Sequence, residues 1–271
     1  MDQAIISLIV LSALGGFLSG LLGIGGGVIF VPILTFVFEK MGYAGEDFSK
    51  YVLANSFAII LFASAAASLK HLRSKNIKFK YLWYIGLGGI ITSLAVAYYI
   101  SVSGAYSKKI FLSLFLVILI LSLLRILFSN KSGIEVQPSS VKPSQFAMIG
   151  GFTGIISGFT GVGGGIIMVP AFSNILKIPL KISIGLSSGA IFLFALTNFI
   201  QYSILTPIIM GSKYQLGFIR FDLIVYPLLA VLIFAPIGVA VAQKIETKVL
   251  KWIFVFLLLV IIAKTIVSLL S

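Results

Sequence analysis

A glycine-rich segment occurs twice in this chain, and both copies lie inside long hydrophobic stretches. Residues 19–32 read SGLLGIGGGVIFVP and residues 157–170 read SGFTGVGGGIIMVP, an offset of 138 residues with nine of fourteen positions identical. Glycine- and proline-interrupted hydrophobic segments at matching places in two halves are typical of transporters, where they mark the binding site. The duplication therefore predicts two homologous halves and favours transport as the function.

The composition of the chain places it in a lipid bilayer. Of its 271 residues 59% are hydrophobic and only 10% are charged, whereas soluble domains carry roughly 25% charged residues. A bilayer core about 30 Å thick needs around 20 apolar residues per helix, and such runs recur along the sequence. We predict an all-α polytopic membrane protein. Its first three residues lack the basic region of a cleaved signal peptide, so we expect the first segment to be retained.

Eight hydrophobic segments divide the chain into two matching sets of four. A polar stretch rich in serine and proline, 129–143, separates the sets and is predicted to be a linker. We expect a first transmembrane repeat at 1–128 and a second at 144–271, packed together as one structural domain. The segments are 4–38, 51–70, 80–100 and 108–128, then 144–177, 181–204, 219–243 and 249–270, and the first of each set contains a glycine copy.

The distribution of lysine and arginine bears on the course of the two interrupted segments. If 4–38 and 144–177 are hairpins, one side of the membrane holds 13 of the 20 basic residues. If each crosses once, five of those residues leave that side and three join it, which gives 11 against 9. Because cytoplasmic loops carry an excess of basic residues, we expect hairpins, and hence two inverted repeats with three full spans each. The alternative is eight simple spans in two parallel repeats.

The three consecutive glycines of each copy predict a helix, a tight turn and a second short helix. Glycine permits positive φ, and Pro32 fits the first turn of a helix that begins near residues 26–29. The free N–H groups at the start of such a helix carry partial positive charge and bind anions. Two such helices would together form a site for a small oxyanion. The predicted backbone donors are Gly25, Gly26, Gly27, Gly163, Gly164 and Gly165.

Polar side chains accompany both glycine segments, and we expect them to face the protein interior. Hydrogen bonding between helices explains such residues in membranes as well as ligand contact does, so both roles are open. His71 is either a solvated residue at the membrane edge or a contact for anions or protons, since histidine titrates near pH 6.5. The predicted binding residues are Ser19, Ser157, Asn55, Ser56, Ser187 and Ser188, with His71, Thr160, Asn198 and Gln201 as accessory positions.

Single glycines outside the triplets have a simpler explanation. The pairs Gly16 and Gly20, and Gly154 and Gly158, have the small-xxx-small spacing that lets membrane helices approach closely. We therefore expect these four residues to mediate helix packing. The consecutive glycines occupy more than one helix face, so packing alone does not account for them.

Several function classes are disfavoured by the residues that are missing. The seven acidic residues lie near segment ends or loops, so no mid-span carboxylate offers a coupling group. Without cysteine, a nucleotide-binding motif or a cluster of metal ligands, we expect no cofactor, no metal and no enzymatic activity. The formal net charge of +13 comes from short loops, as the orientation rule for membrane proteins requires, and we expect no nucleic-acid partner.

The duplicated Gly-x-Gly-Gly-Gly-x-x-x-Val-Pro, each copy followed by a serine-bearing span, resembles the sulfite exporter TauE/SafE family over essentially the whole chain. The stretch 53–56, with His71 and Ile77 after it, is similar to that family's Thr-Ser, His and Gly-Ile-Asp series, although Asn55 stands where threonine is usual. In the second half 183–187 is similar, with Leu186 at the threonine position, and 217–222 resembles the later element. The resemblance implies transport of sulfite, sulfoacetate, other sulfonates or organic acids across a prokaryotic-type plasma membrane.

Three functions remain open from the sequence. The first is a secondary transporter that binds a small anion between the two glycine segments. The second is a passive anion channel, which the missing mid-span carboxylate permits. The third is a scaffold subunit without flux, in which the glycines serve packing alone. The chain acts alone or as a homo-oligomer, and the direction of transport is open.

Overall fold

The computed structural model describes residues 3–22, 26–45, 47–73, 77–128, 136–208, 212–242 and 244–270. Within these ranges lie ten α-helices, of which six are long and apolar enough to cross a membrane, namely α3, α4, α5, α8, α9 and α10. This confirms the all-α polytopic class. The helices are α1 (Gln3–Leu22), α2 (Gly27–Lys40), α3 (Asp47–Arg73), α4 (Phe79–Val102), α5 (Lys108–Phe128), α6 (Pro143–Thr160), α7 (Gly165–Pro170), α8 (Leu180–Ile204), α9 (Phe221–Ala242) and α10 (Thr247–Leu270).

Short elements complete the chain. A 3-10 turn at Pro138–Ser140 precedes α6, and a π-helical turn at Ala171–Ile175 extends α7. Two strands, β1 (Gln215–Leu216) and β2 (Ile219–Arg220), form an antiparallel hairpin before α9. The expectation of a helix from residue 219 was therefore wrong by two residues, because Gly217 at φ 55° allows the tight turn that pairs the strands.

Helices α4 and α6 pack closely and run in the same direction. At one end Gly150 lies against the backbone of Ile85, whose Cα would be 2.9 Å from a Cβ at residue 150. Two turns further along both helices, a Cβ on Gly158 would lie 2.8 Å from Val96. Because the residue numbers rise together along the contact, the two helices are parallel.

Helix α8 is also parallel to α4. A Cβ on Gly189 would lie 3.0 Å from Leu82, and further along both helices the side chain of Asn198 donates a hydrogen bond of 3.0 Å to Ser93. Since α6 and α8 are both parallel to α4, they are parallel to each other. The chain between 161 and 179 therefore returns to the side of the bundle where α6 begins.

Helix α1 runs parallel to α9 in the same manner. A Cβ on Gly16 would lie 2.5 Å from the carbonyl oxygen of Ala230, and further along a Cβ on Gly238 would lie 2.7 Å from the nitrogen of Leu21. Such distances are shorter than carbon can tolerate, so these contacts require glycine. The packing role expected for Gly16, Gly154 and Gly158 is confirmed. The surroundings of Gly20 lie outside the described part of the chain.

Helix α2 folds back along α1. A Cβ on Gly15 would lie 3.1 Å from Ile29 and 3.0 Å from Ile33. Gly15 precedes the end of α1 by two turns, and the two isoleucines follow the start of α2 within two turns. The chain therefore reverses between the two helices.

Helices α3 and α8 cross the centre of the bundle in opposite directions. Phe57 stacks on Tyr202 with ring centroids 6.3 Å apart, whereas Ile60 and Ile191 meet at Gly163. Residue numbers thus rise on one helix as they fall on the other. Other helices also pair across the two halves. Helix α1 packs against α9, α4 against α6 and α5 against α10.

The centre of the bundle is apolar and closed, while its periphery is apolar and exposed. Phe30 on α2, Phe57 on α3 and Phe194 on α8 are fully buried. Trp83 on α4 and Phe256 on α10 are 65% and 69% exposed. Because such faces are stable in hydrocarbon and costly in water, the outer helices contact lipid and the central ones hold the site.

Candidate functional site

Two short helices begin with the same backbone turn. Gly26 precedes α2 with φ 81° and ψ −24°, and Gly164 precedes α7 with φ 80° and ψ −1°. The carbonyl of Gly26 accepts the N–H groups of Ile29 and Phe30, both at 2.9 Å. This left-handed conformation is strained for residues with a side chain, so glycine at both positions follows from the backbone.

The second turn repeats the hydrogen bonds of the first. The carbonyl of Gly164 accepts the N–H groups of Ile167 at 3.1 Å and Met168 at 2.9 Å. Positions 26 and 164 are separated by the same 138 residues as the sequence copies. The duplicated sequence thus produces a duplicated turn, each followed by a helix whose first N–H groups have no partner within that helix.

The two turns lie against each other at the centre of the bundle. A Cβ on Gly27 would overlap the carbonyl of Val162, and it would lie 2.8 Å from Ile60. Ile60 also reaches Gly163, where a Cβ would be 3.3 Å away. Close packing alone therefore explains glycine at 27, whereas the positive φ explains it at 26.

Helix α3 is joined to the second turn by a hydrogen bond. The hydroxyl of Ser56 donates to the carbonyl of Gly161 at 2.7 Å, and the N–H of Gly161 donates to the carbonyl of Ser157 at 2.8 Å. Ser56 is fully buried. One of the predicted binding residues is thus beside the glycine turn, with its donor already in use.

Two other predicted hydroxyls are buried without a partner. Ser157 in the last turn of α6 and Ser187 on α8 are 0% and 1% exposed, and neither side-chain oxygen has a hydrogen-bond partner. Ser187 lies one turn before Ile191, which contacts Gly163. An orphaned buried hydroxyl costs free energy, so these two oxygens mark places where a ligand could bind.

Neighbouring hydroxyls are satisfied within their own helices. Ser188 donates to the carbonyl of Ile184 at 2.9 Å, and Thr160 donates to the carbonyl of Ile156 at 2.8 Å. Both donors serve the helix backbone. They differ in this respect from Ser157 and Ser187.

Asn55 bridges α3 and the β1–β2 hairpin. Its amide nitrogen donates to the carbonyls of Tyr51 at 2.7 Å and Phe218 at 3.0 Å, and its oxygen accepts the N–H of Arg220 at 2.9 Å. Both the amide nitrogen and the amide oxygen of Asn55 are therefore bonded to other groups of the protein. The structure therefore gives Asn55 a connecting role.

Arg220 is a buried charge that the sequence prediction missed. Its guanidinium donates to both carboxylate oxygens of Asp222 and to the hydroxyl of Tyr43. Burial alone would lower the pKa of Arg220, but the hydrogen bonds to Asp222 and Tyr43 raise it overall, so the side chain stays charged. The available signal was the Arg-Phe-Asp spacing at 220–222, which allows a bidentate pair.

Other predicted residues lie further along α8 and α3 than Ile191 and Ile60, which meet at the second turn. Asn198 and Gln201 follow Ile191 on α8, Asn198 by seven residues or about 10 Å along the helix axis. His71 follows Ile60 on α3 by eleven residues, about 16 Å. Gly25 and the side chain of Ser19 lie outside the described residues.

A second group of charged residues lies at the C-terminal end of α2. Glu39 pairs with Lys108 at 2.9 Å and accepts the hydroxyl of Ser268. Glu39, Lys264 and Ser268 line a small open groove, and the ammonium of Lys264 lies 3.8 Å from the ring centroid of Phe36. In the described part of the chain, no three His, Asp or Glu side chains converge to hold a metal ion.

Six bilayer-length helices around a core of buried short helices define an integral, multi-pass membrane protein. The sequence profile of the sulfite exporter TauE/SafE family matches residues 8–265. The chain belongs to this family, which confirms the resemblance carried by the glycine copies. No solved structure matches the chain.

Curated relatives agree with this assignment. A probable membrane transporter protein of Methanocaldococcus jannaschii is 28% identical over 246 residues, covering 90% of this chain and 88% of the relative. The probable membrane transporter protein YunE of Bacillus subtilis is 24% identical over 218 residues, covering 74% and 79%. One from Haemophilus influenzae is 24% identical over 264 residues, covering 96% and 97%. Family and relatives together indicate a membrane transporter.

Proposed function

We propose that the protein is a secondary transporter of small anions in a prokaryotic-type plasma membrane. Its substrates are sulfite, sulfonates or related organosulfur or carboxylate compounds, bound between the two glycine turns. The observation that carries the proposal is the contact between the turns: two helix N-termini with the same glycine cap, at Gly26 and Gly164, begin beside each other. Helix N-termini attract anions without a basic side chain.

The family supports the substrate class, and the chemistry of the turns agrees with it. A sulfur oxyanion or a carboxylate presents several acceptor oxygens, which match the backbone N–H donors of residues 26–27 and 164–165. Hydroxyls of Ser157 and Ser187 would add two donors from α6 and α8, since both lack a partner. Ser56, whose donor is bound to Gly161, holds the second turn in place.

We further propose that the two halves are inverted repeats, 1–128 and 144–271, within one domain. Helix α6 is parallel to α4 and α8, α1 is parallel to α9, and α3 is antiparallel to α8. If successive spanning helices alternate, α1 and α6 point in opposite directions although their sequences are copies. The connections that follow α3, α5, α7 and α9 then lie on the cytoplasmic side, which holds 13 of the 20 basic residues.

Single cysteines test the inversion, since the native chain has no thiol. Ala44 precedes α3 and Lys181 lies in the first turn of α8, the equivalent helix of the second half, and both residues are exposed. We expect an impermeant maleimide to label Ala44→Cys from outside intact cells and Lys181→Cys only after permeabilisation. Labelling of both from the same side would restore two parallel repeats.

Thermal stability of the purified protein tests the anion site. We expect sulfite, a sulfonate or a carboxylate to raise the Tm at constant ionic strength, because a ligand at 100 times its Kd adds about 2.7 kcal/mol. Ser187→Ala should weaken this stabilisation, whereas Ser188→Ala, whose hydroxyl is bound to its own helix, should leave it unchanged. Equal loss in both variants, or no selective anion among sulfite, sulfate, sulfoacetate, taurine, acetate and chloride, would contradict the site.

A further inference from the structure

The last turn of α6 exposes carbonyl oxygens that have no partner in the described part of the chain. The carbonyl of Ser157 accepts the N–H of Gly161, and the carbonyl of Phe159 accepts the hydroxyl of Tyr106. The carbonyls of Gly158 and Thr160 accept no hydrogen bond from a described residue. Because the C-terminal end of a helix carries partial negative charge, these oxygens favour a cation.

A buried amide oxygen lies on the neighbouring helix α8. The nitrogen of Asn198 donates to the carbonyl of Phe194 at 2.8 Å and to the hydroxyl of Ser93 at 3.0 Å. A carbonyl oxygen can only accept, so the first of these bonds fixes which side of the amide is nitrogen. The oxygen of Asn198 is therefore an acceptor, and it is fully buried without a donor.

Ser93 on α4 brings these two places together. Its hydroxyl accepts from Asn198, and a Cβ on Gly158 would lie 3.1 Å from its carbonyl oxygen. Ser157, adjacent to Gly158, adds a buried hydroxyl oxygen that has no partner. Neutral oxygens from α4, α6 and α8 thus collect at the point where α6 ends and the second glycine turn begins.

Asn198 and Ser93 have no polar counterparts at the equivalent positions, although the backbone packs in the same way there. Ser56 and Ser187 are equivalent positions, and at the same offset Asn198 corresponds to Ala67. Gly16 packs on Ala230 as Gly154 packs on Gly89, which makes Phe234 the counterpart of Ser93. Because Ala67 and Phe234 occupy these positions in the equivalent contact, close helix packing does not require Asn198 and Ser93 to be polar.

We propose that the end of α6 binds a sodium ion that couples to transport, an inference that rests on the anion site of the proposed function. Its ligands are the free carbonyls of Gly158 and Thr160, the hydroxyl of Ser157 and the amide oxygen of Asn198. Carbonyls at the C-terminal ends of interrupted helices and neutral side-chain oxygens suit Na⁺ in transporters. The bound anion, at the start of α7 on the other side of the turn, supplies the counter-charge that no mid-span carboxylate provides.

The test measures the Tm of purified protein in NaCl, KCl or choline chloride at equal ionic strength, each with and without sulfite. We expect NaCl alone to raise the Tm, and Na⁺ to tighten sulfite binding at least fivefold, the lower end of typical coupling between sites. Asn198→Leu should abolish both effects of Na⁺ while sulfite still stabilises the protein in choline chloride. Thr197→Val is the matched control, because its hydroxyl is bound to Leu193 in the same helix at 3.0 Å.

If Asn198→Leu does not fold, Asn198→Ala replaces it, and its apparent Kd for Na⁺ should rise. Equal Tm in NaCl, KCl and choline chloride, with sulfite still stabilising, would overturn the sodium site and leave the anion site intact. Stabilisation by neither Na⁺ nor any anion would overturn both. Loss of the Na⁺ effect in Thr197→Val as well would show that Asn198 does not bind the ion.

Discussion

The contact of α4 with α6 and the contact of α9 with α1 have the same backbone geometry and different chemistry. In both, glycines bring parallel helices so close that a Cβ would overlap the opposite backbone, as at Gly154 and Gly16. Between α4 and α6 the contact is also hydrogen-bonded, since Thr92 donates to the carbonyl of Gly151 at 2.8 Å. In the α1–α9 contact the positions that correspond to Thr92 and Ser93 are Ile233 and Phe234, whose side chains cannot form such a bond.

This difference separates two roles of a duplicated sequence. The glycines preserve the shape of the hairpins in both halves, because that shape depends on backbone contact. Some polar residues around the hairpins are not duplicated: Asn198 corresponds to Ala67, Ser93 to Phe234 and Asn55 to Leu186. We therefore propose that the shared glycines build the common site and that the unshared polar residues distinguish the two halves.

The largest effect is expected at the glycine turn itself. Gly164→Val adds a branched side chain at φ 80° and against Thr153, where a Cβ would overlap the methyl group. The left-handed strain and the overlap together should cost about 3 kcal/mol, and transport should be lost. Folding is measured by size-exclusion chromatography and Tm, and transport in proteoliposomes.

A paired substitution separates folding from function at the same position. Thr153→Ser removes the methyl group but keeps the hydroxyl that is bonded to Ile149. Gly164→Ala combined with Thr153→Ser should recover more stability than Gly164→Ala alone, while anion binding stays weak. Full recovery of binding in the double variant would mean that the turn serves packing only.

The next largest loss of stability is expected at Asn55, which connects α3 to the β1–β2 hairpin. Asn55→Leu would copy into α3 the residue found at the equivalent position 186. It leaves the carbonyl of Phe218 and the N–H of Arg220 without partners, which should cost on the order of 3 kcal/mol since each buried orphan costs about 1–3 kcal/mol. Leu186→Asn, the reverse exchange, is the control for side-chain size. An unchanged Tm for Asn55→Leu would show that the hairpin does not depend on this bridge.

The two glycine contacts should respond alike to an added methyl group. We expect Gly154→Ala and Gly16→Ala each to lower the free energy of unfolding by about 2 kcal/mol, the typical cost of overpacking. Gly151→Ala is the control on α6, because its Cβ would lie 3.8 Å from its nearest neighbours, an ordinary contact. A large effect of Gly151→Ala, or a small one of Gly16→Ala, would break the equivalence of the two contacts.

The smallest effect distinguishes the equivalent serines. Ser56→Ala removes the bond to Gly161 and should cost about 1 kcal/mol. Ser187→Ala removes a hydroxyl without a partner, so its stability without ligand should be unchanged. Reduced stability of Ser187→Ala in the absence of anions would mean that its hydroxyl serves the fold. Both variants are compared by Tm with and without sulfite.

Hydrophobic run length predicted the fold class, because a bilayer imposes length and apolarity on each span. The distribution of basic residues favoured three full spans in each half, which agrees with the six bilayer-length helices among the described residues. The expectation that Asn55, Ser56, Ser187 and Asn198 face the interior is confirmed, since all four are at most 1% exposed. Burial of polar side chains in a membrane protein follows from the cost of exposing them to lipid.

The partners of these residues could not be predicted from the sequence. Asn55 bonds residues 163 and 165 positions away, and such pairs depend on how the halves pack. The same holds for the β1–β2 hairpin and for the buried charge of Arg220. Periodicity describes one helix at a time, so it locates the polar positions without showing which of them meet.

The most direct test of the anion transporter is counterflow of labelled sulfite in proteoliposomes. Vesicles loaded with unlabelled sulfite are diluted into a trace of labelled sulfite, and the transient accumulation of label is recorded for the wild type, Ser187→Ala and Ser188→Ala. We predict saturable accumulation that Ser187→Ala weakens through a higher KM and Ser188→Ala leaves unchanged. Flux that rises linearly with concentration and follows voltage, or no flux with any sulfur oxyanion, sulfonate or carboxylate, would contradict a transporter with its site between the glycine turns.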